Sequence, residues 1–167
     1  MKRLQPRHLW LALCLAAAGL VAGSLILTAW FDLHPCHLCI FQRLLFMKLA
    51  VLGLLAFFLT GGWRKLVGGL TLPISALGIG VASYQSWLQA QPPGSIACVA
   101  GEPGMIERLV EWLGQRMPEL FLATGFCEEK ELEILGLSLA NWALISFSAF
   151  LVLALWALFI NKSATRP

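Results

Sequence analysis

The chain has 167 residues, of which 59% are hydrophobic and 13% charged, and its mean hydropathy is +0.78. Soluble domains hold about 45–50% apolar and about 25% charged residues, so this composition excludes an ordinary soluble globule, and it is far too apolar for a disordered chain. The net charge of +3 comes from scattered basic residues that form no stripe for nucleic acid, which leaves a single membrane domain over residues 1–167.

A spanning helix takes about 20 mostly apolar residues. The first candidate, Leu9–Phe31, carries no charge. It follows a basic Met1–His8, as the core of a secretory signal would. However, it is 23 residues long against roughly 7–15 for such a core, and no small-x-small cleavage site closes it, so an uncleaved span is expected. Leu13 is also too large to precede Cys14 in a lipoprotein site. Gly19 and Gly23 form a small-xxx-small pair that would let this span approach another helix. Cys14, inside it, is expected to be a buried and unreactive thiol, because apolar surroundings disfavour the thiolate.

The connection Asp32–Cys39 holds Pro35 and a C-x-x-C, Cys36-His37-Leu38-Cys39. The second span runs from about Ile40 to Thr60 and carries Gln42, Arg43 and Lys48 in its first half. Arg64 and Lys65 lead to a third span, about Leu66–Leu88, which is interrupted by Pro73 and rich in Gly and Ser. A long connection, Gln89–Ser138, then contains Cys98 and Cys127. It opens on a turn-forming Gln91-Pro92-Pro93-Gly94. After Pro103, Met105, Ile106, Leu109, Val110, Trp112, Leu113 and Met117 recur at three-and-four spacing. This is the pattern of a short amphipathic helix that lies on the membrane surface, packs on the tops of the spans, or both. The fourth span, about Leu139–Ile160, is again uncharged. The apolar runs are continuous rather than alternating, which favours helices over barrel strands. The expected fold is therefore an all-α four-helix transmembrane bundle with a large second outer loop that holds one amphipathic helix. Trp63, Trp87 and Trp142 fall near span ends, as interfacial anchors do.

Four spans put both termini on one side. Lys2, Arg3, Arg7, Arg64, Lys65, Lys162 and Arg166 fall on that side, seven basic residues against three (Arg108, Arg116, Lys130) in the outer connections. The long loop sets those three against eight glutamates. By the positive-inside rule, the termini and the middle connection face the cytoplasm.

Cys36, Cys39, Cys98 and Cys127 all map to the outer connections, where disulfides form and persist. Four cysteines allow three pairings. The C-x-x-C is short enough to close locally as Cys36–Cys39, which leaves Cys98–Cys127. The second pair could simply staple the long loop. The first would stabilise little, since stabilisation grows with the size of the closed ring. A C-x-x-C at a helix N-terminus, with Pro35 in the first turn and the positive helix end lowering a thiol's pKa, suits redox work better. Arg43 lies one turn beyond Cys39 on the same face. A charge inside a span marks function by default, although an arginine at this depth can also snorkel to the interface. Beside a thiolate it can stabilise negative charge on the sulfur or on a bound oxygen. No role is assigned to Lys48. Gly78-Ile79-Gly80 sits in an apolar helix rather than after a strand, so it is no dinucleotide site. The C-x-x-C lacks the following His of covalent haem attachment. A lipid-soluble electron acceptor, a quinone entering between helices near Cys39 and Arg43, fits best.

Together these residues resemble the bacterial disulfide-bond formation protein B (DsbB) family, over nearly the whole chain. Pro35-Cys36-His37-Leu38-Cys39-Ile40-Phe41-Gln42-Arg43 is similar to the family's first-loop signature. Phe121-Leu122-Ala123-Thr124-Gly125-Phe126-Cys127 and Leu135-Gly136-Leu137 are similar to the end of its second loop. The resemblance implies an inner-membrane enzyme that reoxidises a periplasmic thioredoxin-like dithiol oxidase of the DsbA type and passes two electrons to ubiquinone or menaquinone. It further implies that Cys98 forms the mixed disulfide with the partner, that Cys127 then attacks Cys36, and that Cys39 becomes the thiolate at the quinone with Arg43 beside it. The chain departs from some members at Gln42, where an acidic residue is often found, and near Gln85-Ser86, which lacks a histidine. Tyr84 and Gln85 are minor candidates for lining the quinone pocket. The rival readings are a vitamin K epoxide reductase-like quinone reductase, in which the C-x-x-C typically comes late in the bundle, a disulfide-stapled scaffold, and a metal-binding membrane protein using the four cysteines with His34 or His37. Counting free thiols after mixing with a reduced partner separates them.

Overall fold

A computed structural model describes residues 6–91, 104–130 and 132–163. Four long helices form a bundle: α1 (Pro6–Phe31), α2 (His37–Phe58), α3 (Gly61–Leu88) and α6 (Leu139–Ser163). Each is long and apolar enough to cross a membrane. α1 packs chiefly on α2, and α3 on α6 and α2. Between α3 and α6 lie α4 (Met105–Arg116), the single turn α5 (Pro118–Phe121), and a two-stranded antiparallel hairpin of β1 (Glu133–Ile134) and β2 (Leu137–Ser138).

The helix limits follow local chemistry. α2 begins at His37 with Cys36 as its N-cap, earlier than the expected 40, so the C-x-x-C opens the helix as expected while Pro35 lies just ahead of the N-cap rather than in the first turn. The α2–α3 connection shrinks to a tight corner at Leu59 and Thr60. There the Arg64 Nε donates to the carbonyls of Ala56 (3.1 Å) and Leu59 (2.8 Å), closing the end of α2, and Gly61 takes the left-handed φ of +62° that the corner requires. Pro73 does not break α3, which runs unbroken through it for 28 residues.

The glycines that allow close helix contact are not the pair singled out by spacing. A Cβ at Gly19 or Gly23 would meet nothing within 4 Å. At Gly53, by contrast, it would lie 3.1 Å from the Trp10 carbonyl oxygen and 3.1 Å from the Cys14 nitrogen, so Gly53 brings α2 against α1 and buries Cys14 there. Gly78 makes room for the Phe147 ring. That ring stacks on Phe46 with centroids 4.1 Å apart, at the centre of the bundle. Such small residues let backbones approach where lipid supplies no hydrophobic drive between helices.

The hairpin is an addition to the helical architecture. Its two-residue turn, Leu135-Gly136, has φ of 56° and 76°, the left-handed pair that a type I′ turn requires. α4 packs through Val110 and Gly114, which are buried, and leaves Met105, Leu109 and Trp112 exposed. Its apolar residues thus serve both the packed face and the open one. Trp63 and Trp87, near the two ends of α3, are exposed, as residues of an interfacial belt would be.

Candidate functional site

The site lies where the start of α2 meets the segment after α5. The Pro35 carbonyl accepts from the backbone N–H of Thr124 (3.1 Å) and of Gly125 (3.4 Å). These bonds lay residues 122–127 along the α1–α2 connection. Gly125 is required by contact, since any Cβ there would run into the His34 carbonyl. The docked segment brings Cys127 into hydrogen-bond contact with Cys36. Residues 91 apart in sequence are thereby joined with Cys39, whose sulfur is 3.5 Å from that of Cys36.

Cys36, Cys39 and Cys127 are free thiols. The structure brings Cys36 and Cys39, the pair expected to bridge, into contact as unbridged sulfurs. Cys98 lies outside the described residues, and so does its expected pairing with Cys127. The Cys36 thiol, hydrogen-bonded to Cys127 and to Cys39 and buried, is pushed up from the ordinary thiol range. Cys127 is held down, chiefly because Cys36 donates to its sulfur. Cys36 is thus the protonated member of the contact and Cys127 the better nucleophile.

Arg43 is only 5% exposed. Its Nε donates to Ser24 Oγ (3.1 Å), one Nη to Thr28 Oγ1 (3.2 Å) and the other to the Leu120 carbonyl (3.0 Å). It does not snorkel; it ties α1, α2 and α5 together. Three of the guanidinium's five donors are committed in this way. Ser24 and Thr28 escaped the sequence reading, although two hydroxyls four residues apart in an otherwise apolar span are themselves a signal of one shared polar face.

Arg43, Cys39 and Gln42 also line a cavity of about 490 Å³ between α1, α2, α6 and the hairpin. Gly19 and Gly23 line it from α1, Trp142, Ala143 and Ser146 from α6, and Ile134 and Leu135 from the hairpin. The glycine pair thus lines open space rather than seating a helix. The cavity's walls are largely apolar, with the polar groups of Cys39, Gln42 and Arg43 gathered at one part. Tyr84 does not line it; that ring is half exposed and stacks on Trp87. Gln85 is buried behind Cys39 instead. Its Nε2 is 2.9 Å from the Cys39 sulfur and 3.5 Å from that of Cys36, and its Oε1 accepts from Gln42 Nε2 at 2.7 Å. Lys48 is exposed and borders a separate apolar groove with Leu70, Pro73 and Ile74. His37, within the C-x-x-C, reaches Glu111 of α4 at 4.0 Å.

The family described as "Disulfide bond formation protein DsbB" matches residues 6–157. A protein of Dechloromonas aromatica (strain RCB) named "Disulfide bond formation protein B" is 45% identical over 161 residues, 94% of each chain. Proteins of the same name from Azoarcus sp. (strain BH72) and Methylobacillus flagellatus are 37% and 35% identical, the first over 92% of each chain and the second over 89% of this one and 90% of its own.

Proposed function

The chain belongs to the DsbB family of disulfide bond formation proteins, and from that premise we propose that it is a dithiol:quinone oxidoreductase of the bacterial inner membrane. It takes two electrons and two protons from a periplasmic thioredoxin-like oxidase of the DsbA type and delivers them to ubiquinone or menaquinone. Its termini face the cytoplasm, so α4 and the thiol site lie on the periplasmic side. This orientation rests on the seven-to-three division of basic residues.

The relay runs through two cysteine pairs. The reduced partner attacks the Cys98–Cys127 disulfide at Cys98 and forms a mixed disulfide, releasing Cys127. The partner's second thiol then resolves that bond and leaves oxidised, with Cys98 and Cys127 as thiols. Cys127, held as the better nucleophile, attacks a Cys36–Cys39 disulfide at Cys36 and expels Cys39 as the thiolate. Cys98 attacks Cys127 to restore the loop disulfide and leaves Cys36 as a thiol. The quinone, a diffusible substrate, accepts two electrons and two protons as Cys36 and Cys39 close again.

The chain's residues suit that task. The cavity's volume of about 490 Å³ and its apolar lining suit a quinone ring and part of its tail, and Gln42 and Arg43 line it with Cys39. Arg43 holds positive charge next to the Cys39 sulfur, and its fixed donors need no reorganisation as charge moves. The observation that carries the reading is the junction itself: Cys127 contacts Cys36 on one side while Cys39 opens onto the cavity on the other.

The test is quinone absorbance after a reduced periplasmic dithiol protein is added to the purified protein in liposomes. Turnover is expected, and Cys39→Ser should abolish it. A protein that keeps its cysteines oxidised and reduces no quinone would return the scaffold reading.

A further inference from the structure

We propose that Gln42 is a positioning residue: it sets the orientation of the Gln85 amide so that Gln85 donates to the Cys39 sulfur, and the pair thereby selects Cys39 as the charged member of the dithiol. The inference deepens the reading above and rests on its assignment of Cys36 and Cys39 as the pair that delivers electrons.

A side-chain amide has one donating end and one accepting end. Only the donating end stabilises a thiolate, and nothing in Gln85 alone decides which end faces the sulfur. Gln42 decides it. Its Nε2 donates to Gln85 Oε1 at 2.7 Å, so the Gln85 oxygen is engaged and its amino group is left for Cys39 at 2.9 Å. Turning Gln85 over would set two amino groups against each other and an oxygen against the sulfur. Gln42 is 4% exposed and Gln85 1%, so either conflict is costly. The same amino group is 3.5 Å from Cys36, a longer contact. The preference for Cys39 over Cys36 is therefore built into the distances. A carboxylate at position 42 has no donor, so it would claim the Gln85 amino group and turn the oxygen toward Cys39.

The measurement is the rate of Cys39 alkylation against pH in the full-length reduced protein, read by peptide mass spectrometry, with Cys127 followed in the same samples. Gln85→Met should move the Cys39 midpoint up by about one pH unit, a roughly tenfold loss of rate below both midpoints. Gln42→Met should move it up by less, and Gln42→Glu by at least as much as Gln85→Met. The decisive comparison repeats the Gln42→Met substitution in the Gln85→Met background. If Gln42 acts through Gln85, its shift disappears there while the Cys127 profile stays in place throughout. An unchanged midpoint in Gln42→Met, or a shift of equal size in both backgrounds, overturns the proposal. Wild-type protein that shows these profiles yet reduces no quinone would defeat the functional reading and leave the positioning role standing.

Discussion

Arg43 and Lys48 are cations five positions apart on α2, and the helix gives them opposite surroundings. Arg43 is buried and bonded to Ser24, Thr28 and Leu120, whereas Lys48 is exposed at the edge of an apolar groove. A charge inside a span is costly wherever it sits. What separates a working charge from a tolerated one is the presence of hydroxyls and carbonyls placed to receive it. One element supplies both cases because the five-residue offset turns the second side chain to another face.

The largest effect expected from that contrast is in Arg43→Met, which deletes the charge and all five donors. Quinone reduction should fall by roughly a hundredfold. Because Arg43 also anchors Leu120, just ahead of the segment that carries Cys127, partner oxidation should slow as well, and protease cleavage within residues 117–127 should rise. A clean separation of quinone use from thiol exchange is therefore not expected. Arg43→Lys keeps the charge but not the planar fork that spans three partners, and a fall of roughly tenfold is expected. Equal activity in the two variants would show that the donors, rather than the charge, do the work.

Gly125→Ala should come next. Its Cβ meets the His34 carbonyl, so the segment must lift and Cys127 must leave Cys36. Partner-driven turnover should drop by about tenfold. Reduction of quinone by a small dithiol should not fall with it, because lifting the segment uncovers Cys36, which is otherwise buried. Cys36→Ala probes the same junction by pH. Cys127 lies below the ordinary thiol range because Cys36 donates to it; removing the donor should raise its alkylation midpoint, so Cys127 reacts more slowly at neutral pH. A midpoint that stays or falls would mean that Cys36 is not the donor. Lys48→Leu, with no partner to lose among the described residues, should leave turnover within about twofold of wild type.

Much of the bundle was legible because lipid demands long apolar runs, and all four could be counted. The four cysteines and Arg43 stood out by spacing and by the cost of a buried charge. What the sequence concealed were properties of faces and of distant contacts. Gly19 and Gly23 had the spacing of a helix contact but line a cavity, and Gly53, with no motif around it, makes the close approach. Gln42 and Gln85, separated by 43 residues, drew attention one at a time, the first as a departure at an often acidic position and the second as a pocket candidate, and acquire a direction only as a pair. The hairpin at Leu135-Gly136 is too short to show any alternation, and its signal was the Gly alone.

The proposed electron path crosses from loop to bundle between Cys127 and Cys36. The direct measurement is disulfide mapping by mass spectrometry of the Cys39→Ser, Cys98→Ser double variant after mild oxidation in the membrane. With their usual partners removed, Cys36 and Cys127 should join within one chain in most molecules. Free thiols at both positions, or bonds only between chains, would contradict the path.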